Sequence, residues 1–182
     1  ALIFTNENQI TINDADAFNN PLEMTLIATS GTLSLSGTSN LTFTNGDGID
    51  DANMTLTGTL TDINTALNGM SFNPNSNYHG IGSLQITTND QGFSGPGLPH
   101  SDTDTINITV TPIADTPSIT PATTNLNVQS SSGLVITLNA DDGPEVTHYK
   151  IINISGGNLF KNDGTTPINN NDFITAAEGG TG

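Results

Sequence analysis

Apolar and polar residues alternate along most of the chain. Leu22, Met24 and Leu26 are spaced by two, as are Leu33 and Leu35, Leu41 and Phe43, Met54 and Leu56 with the later Leu60, Leu84 and Ile86, and Ile106, Ile108 and Val110. A period of two puts one set of side chains on one face of an extended segment, so these stretches predict half-buried strands. Residues 2–5 and 10–13 read as the first two strands, and 83–88 and 104–111 as late ones. Gly, Asn, Asp and Pro interrupt the pattern at short intervals, as in strands joined by many turns. The expectation for residues 1–112 is an all-β, antiparallel two-sheet sandwich. One segment departs from it. Ile63, Ala66, Leu67 and Met70 fall at i, i+3, i+4 and i+7, which predicts a short helix near 62–69 with Asp62 at its N-cap and Gly69 near its end.

After Val110 the chain reads TPIADTPS, with two prolines and an aspartate following a strand. This places a first domain at 1–113, a linker at 114–118 and a second unit at 119–182. A faint internal repeat supports the boundary. Ile10-Thr-Ile-Asn13 matches Ile136-Thr-Leu-Asn139, and Ser30-Gly31-Thr-Leu33 matches Gly156-Gly157-Asn-Leu159; the offsets agree, since 136 − 10 = 126 and 157 − 31 = 126. Because 182 − 126 = 56, the second copy is expected to stop at the equivalent of Leu56, as the N-terminal part of a second β-sandwich repeat without the helix or the last strands. The first residues already read as a strand and no signal peptide is visible, so the chain reads as a piece of something longer.

Charge narrows the functional classes. Two lysines, Lys150 and Lys161, face eighteen acidic residues, for a formal net charge of -16. Such a surface repels phosphate backbones and anionic membranes, which argues against nucleic acid as a partner, and it is suited to divalent cations. No apolar run reaches membrane-spanning length, so no membrane insertion of this segment is expected. Cysteine is absent, which excludes disulfides and thiolate metal sites.

The strand order also gathers the acids. If residues 10–13 and 83–88 rise together, both end at one pole, with Asp14 and Asp16 in one loop, Asn89 and Asp90 beside them and Asp102 nearby. An Asp-x-Asp pair aims two carboxylates at one point, a geometry that suits a hard cation with six to eight oxygen ligands. The opposite pole collects Glu7 from the first turn and Asp115 from the linker, with Asn139, Asp141 and Asp142 of the second unit's loop beside them. Calcium is the cofactor this pattern suggests. Aspartates also favour turns for purely local reasons, and that reading is preferred for Asp47, Asp50 and Asp51, while the N-cap role accounts for Asp62.

ITINDADA, the block TLTGTLTDINTALNGMSFNPNSNYHGIGSLQITTNDQG and SDTDTINITV resemble the cadherin-like, immunoglobulin-like tandem repeats of giant bacterial adhesins and secreted repeat proteins. The resemblance covers most of 1–116. The second unit, with VITLNADDGPEVTHYKI and NDGTTPINNNDFIT, is similar to another repeat of the same proteins. Asn77-Tyr-His-Gly80 stands at the loop before the late strand. The resemblance implies tandem sandwiches at a bacterial cell surface or secreted outside it, adhesion, neighbouring repeats of the same chain as partners, and calcium at inter-domain junctions. Glu7, Asp14 with Asp16, Asp90 and Asp115 look like the cadherin ligand positions. The Leu-Asp-Arg-Glu stretch of cadherins is absent, and the helix from Asp62 takes its place.

No enzyme is expected. His79, His100 and His148 are scattered without metal-ligand spacing, no phosphate loop is present, and Gly92-Phe-Ser94-Gly-Pro breaks the nucleophile-elbow pattern at its last glycine. The main rival is a calcium-dependent carbohydrate- or ligand-binding module that meets a cell-surface protein or glycan through the loops of one pole. It requires an exposed aromatic beside the acids. Phe93 is the candidate, although packing is the expected role of a single aromatic. A parallel β-helix would need many short repeats, and the long offset argues against it.

Overall fold

The alternating segments become antiparallel sheet. The computed structural model describes residues 1–93, 98–130 and 132–182, so Ser94 of the Gly92-Phe-Ser94 motif lies outside the described residues. The chain divides into two units, Ala1–Thr111 and Pro112–Gly182.

In the first unit the elements are β1 (Leu2–Phe4), a 3-10 turn (Asn6–Asn8), β2 (Pro21–Thr29), β3 (Gly31–Ser34), β4 (Thr42–Asn45), β5 (Asn53–Thr59), α1 (Leu60–Leu67), β6 (Met70–Pro74), β7 (Gly80–Asn89) and β8 (Ser101–Val110). Five strands form one sheet in the order β4-β5-β2-β7-β8, and three form the other in the order β1-β6-β3. Register follows the pattern: Met24 lies opposite Leu56 and Thr88, and Leu26 opposite Met54 and Ile86. One core draws on both sheets. Leu22, Met24, Leu26, Met54, Leu56 and Leu84 come from the larger, and Phe4, Leu33, Met70 and Phe72 from the smaller. Each such side chain contributes about 1.5–3 kcal/mol of burial. This is an all-β, sandwich-like arrangement. On its outward faces hydroxyls bond across strands at Thr25–Thr55 (3.0 Å), Thr29–Ser83 (2.9 Å) and Thr87–Thr103 (3.0 Å). Gly31 permits the closest packing: a Cβ there would sit 2.5 Å from both the Asn73 carbonyl oxygen and the Phe72 ring.

Three local expectations are corrected. Residues 10–13 alternate but form no strand. Ile10 is buried, and the hydrogen bonds of the segment go to a side chain: the Ile12 N–H donates to Asn64 Oδ1 (2.9 Å) and Asn64 Nδ2 donates to the Ile12 carbonyl (2.9 Å). The carboxamide of α1 thus does the work of a neighbouring strand, because it carries one donor and one acceptor like a peptide group. The helix spans Leu60–Leu67 with Thr59, not Asp62, at its N-cap. The Thr59 hydroxyl accepts from the Asp62 N–H (3.2 Å) and donates to Asp62 Oδ2 (2.5 Å), so Asp62 acts from the third helical position. Met70, placed by spacing on the helix, is instead the first, fully buried residue of β6.

The second unit has short elements: β9 (Ser118–Ile119) pairs with β10 (Ile136–Thr137), β11 (His148–Lys150) with β14 (Phe173–Thr175), and β12 (Leu159–Phe160) with β13 (Pro167–Ile168). Tyr149, Ile168 and Ile174 form its small core. The second unit ends in a single helical turn. β14 leads into α2 (Ala176–Gly179), capped by Thr175 and Glu178 in a reciprocal capping box. Thr59 caps α1 with the same half of that arrangement, its side chain accepting from the backbone of the third helical residue.

Among the described residues no helix is long and apolar enough to cross a membrane.

Candidate functional site

The acid-rich end of the first unit is made by the loop after Ile12 and by the β7–β8 connection. Together they line a cavity of about 200 Å³ whose walls include Asn13, Asp14, Asn89, Asp90, His100 and Asp102. Two of the carboxylates serve their own loops. Asp14 Oδ1 accepts from the N–H of Asp16 (3.2 Å) and of Ala17 (3.0 Å), which turns the chain so that Ala17 is fully buried. Asp90 is the one buried charged residue in the described chain, 8 % exposed. Its Oδ1 accepts from Gly92 N–H (2.9 Å) and His100 N–H (2.8 Å), and its own N–H donates to the His100 carbonyl (3.1 Å). Those amides hold its carboxyl below the usual range. Asp90 therefore pins the two stems of the connection together.

Asp16 is different. It is exposed, and its carboxyl is pushed up from its ordinary value by a hydrogen bond with the Asp14 carboxyl, then by partial desolvation and by the Asp14 charge, with Asp90 adding a smaller push. Two carboxyls this close repel once both are ionised, and a cation between them would relieve that repulsion. Asp14, Asp16 and Asp90 thus lie within reach of each other's charge, with Asp102 on the same cavity. Among the described residues, however, no three Asp, Glu or His side chains are already arranged to hold a metal ion.

Aromatic side chains flank this end. Phe18, two residues after Asp16, is 81 % exposed and held at φ 50°, and Phe93, three after Asp90, is 52 % exposed rather than packed. Asn20 Nδ2 reaches the Phe93 carbonyl at 3.5 Å, which brings the two loops side by side. Sequence spacing singled out Phe93 and missed Phe18, whose position beside the Asp-x-Asp loop was the available signal.

The remaining acids divide between the units. Glu7 is exposed in the turn Asn6–Asn8 of the first. Asp115, Asp141 and Asp142 belong to the second. There the Asp115 N–H donates to Asp142 Oδ1 (2.8 Å), so the linker is fastened to the loop 139–142. Asn139 shapes that loop, its Oδ1 accepting from the Asp141 N–H (3.1 Å) and its carbonyl from the Asp142 N–H (3.1 Å). Asp142 Oδ2 is buried and has no hydrogen-bond partner. Asp47 and Asp51 serve their own turn, Asp47 Oδ1 accepting from the Ile49 N–H (3.0 Å) and Asp51 Oδ2 from the N–H of Asp47 (2.9 Å) and Gly48 (2.8 Å), whereas Asp50 Oδ1 accepts from the distant side chains of Ser34 (3.2 Å) and Asn73 (3.4 Å).

Compared with known proteins, the chain matches no family model, no curated protein and no solved structure.

Proposed function

We propose that this chain is a structural and adhesive tandem module of a large bacterial cell-surface or secreted protein, akin to the cadherin-like repeats its motifs resemble, and that calcium stiffens its junction. The observation that carries this reading is Asp142. One of its oxygens fastens the linker through Asp115, and the other is buried without a partner. A buried carboxylate oxygen left without a hydrogen bond is unfavourable, and a cation beside it would relieve that. The donors on offer are oxygens alone, which suits calcium rather than zinc or copper. Asp115, Asp141 and Asp142 of the second unit would hold the ion. Asp14, Asp16 and Asp90 would hold another at the far end, completed by a neighbouring repeat. Bound calcium supplies fixed positive charge that turns mutual repulsion into a crosslink.

Calcium titration of the full chain, read by thermal melting, tests this. Binding to the folded form alone would raise the melting temperature, by about 2.7 kcal/mol of stabilisation at a hundred times the dissociation constant. Asp142→Asn should remove most of the junction's share. No shift at millimolar calcium, where extracellular calcium modules bind, overturns the reading.

A second reading, a calcium-dependent carbohydrate- or ligand-binding module, is favoured by the exposure of Phe18 and Phe93 beside the acid-lined cavity. It expects glycan binding that needs calcium and is lost in Phe93→Ala. The spacer reading expects Phe93→Ala to leave the calcium response intact.

A further inference from the structure

The chain holds two Asn-Gly pairs, Asn45-Gly46 and Asn68-Gly69. Asn-Gly is chemically the most labile asparagine context, because glycine's unhindered backbone nitrogen can attack the preceding carboxamide. The two sites differ in what that nitrogen is doing. The Gly69 N–H donates to the Phe4 carbonyl at 2.8 Å, and Asn68 is the C-cap of α1, its own N–H bonded to Asn64 at 3.1 Å. The nucleophile is tied into the contact between α1 and β1. Gly46 lies just past the end of β4, after an irregularity in the β4–β5 register, and both it and Asn45 are exposed. Among the described residues nothing accepts a hydrogen bond from the Gly46 N–H. The Asn45 carboxamide is held only by its Nδ2, which donates to the Asn53 carbonyl at 3.0 Å on the surface.

We propose that Asn45-Gly46 is a site of spontaneous deamidation in the folded protein and that Asn68-Gly69 is protected by the fold. The Gly46 nitrogen gives up its proton and bonds to Asn45 Cγ, and the Cγ–Nδ2 bond breaks to release ammonia. The resulting five-membered imide then takes up one water at either carbonyl. One opening gives aspartate, and the other gives isoaspartate with an extra methylene in the main chain. The consequence is local but well placed. Residue 45 stands at the foot of the loop that ties the two sheets, where Leu35 N–H donates to Gly48 (2.9 Å), Leu33 N–H to Asp51 (2.8 Å) and Asp51 N–H to Leu33 (3.0 Å). Either product adds a negative charge beside Asp47 and Asp51, and isoaspartate also lengthens the backbone at the β4–β5 connection.

The full chain is incubated warm at mildly alkaline pH, and its peptides are followed by mass spectrometry, with isoaspartate separated from aspartate. Asn45 should convert with isoaspartate among the products. Asn68 should be slower by roughly tenfold or more, because the α1–β1 contact must first open. In strong denaturant the two rates should come together, and Asn45→Gln should abolish the reaction at that site without affecting Asn68. Native rates that are equal at the two sites, or an Asn45 that stays intact in the folded chain while reacting in denaturant, would overturn the proposal.

Discussion

Asn64 stands in for part of a strand. Its carboxamide satisfies both backbone groups of Ile12, so Asn64→Ala leaves a half-buried N–H and C=O without partners, at a cost of about 1–3 kcal/mol read as a lower denaturant midpoint. An unchanged midpoint would show that water replaces the amide freely. The carboxyls give two opposite pH signatures. Glu178 is held down to about 2, by Lys161 at 2.6 Å first and then by the Thr175 amide and hydroxyl. A depressed folded pKa contributes stability above the unfolded value of 4.5, which is lost as pH falls toward about 2. Glu178→Gln should flatten the acid melt in that window. Asp16 behaves the other way. Its folded pKa is raised, so the unfolded chain releases its proton first and stability falls as pH climbs through that interval. Asp16→Asn should therefore raise the melting temperature at neutral pH without calcium, and the gain should vanish below the unfolded carboxyl pKa. A gain that persists in acid would mean the Asp14–Asp16 pair is not its source.

At the scale of elements, caps and register carry the fold. Thr59 starts α1 and turns the chain out of β5, so Thr59→Ala should cost about 1 kcal/mol, measurable by chemical denaturation. Gly31→Ala should cost about 1–3 kcal/mol, because the new methyl meets the backbone of β6. A neutral result at Gly31 would mean that β3 can move away from Phe72 without penalty. Strands with one buried face were legible in the sequence, since Leu22, Met24, Leu26, Met54 and Leu56 alternate against polar partners and all turn inward. Residues 10–13 also alternate, and Ile10 is buried, yet periodicity reports burial and not the hydrogen-bond partner, which here is a side chain. The Asp62 cap was displaced because Thr59-x-x-Asp62 is itself the signature of a cap at the first residue. Met70 fitted both a helical and a strand period, and the chain reverses at Gly69, φ 93°, between them. Asp14 and Asp90 do line one cavity, but the strand order that was to gather them included a strand at 10–13 that does not form, and the service those carboxylates give to loop amides depends on where 17, 92 and 100 come to lie.

Across the whole molecule the acids outnumber the bases by eighteen to two, with Asp14 and Asp16 side by side in one unit and a buried, unpartnered oxygen of Asp142 in the other. Such a chain gains from divalent cations wherever they let carboxylates approach. Pro112 and Pro117 bracket the linker and restrict the backbone on either side of Asp115. Calcium at Asp115 and Asp142 should therefore restrict the backbone around the linker. Small-angle scattering of the full chain, in chelator and in millimolar calcium, tests this directly. Calcium should change the maximum dimension and narrow the distribution of shapes, and Asp115→Ala and Asp142→Asn should abolish the change. Identical scattering profiles in both conditions would contradict this and leave the chain a passive spacer or a binder of something else.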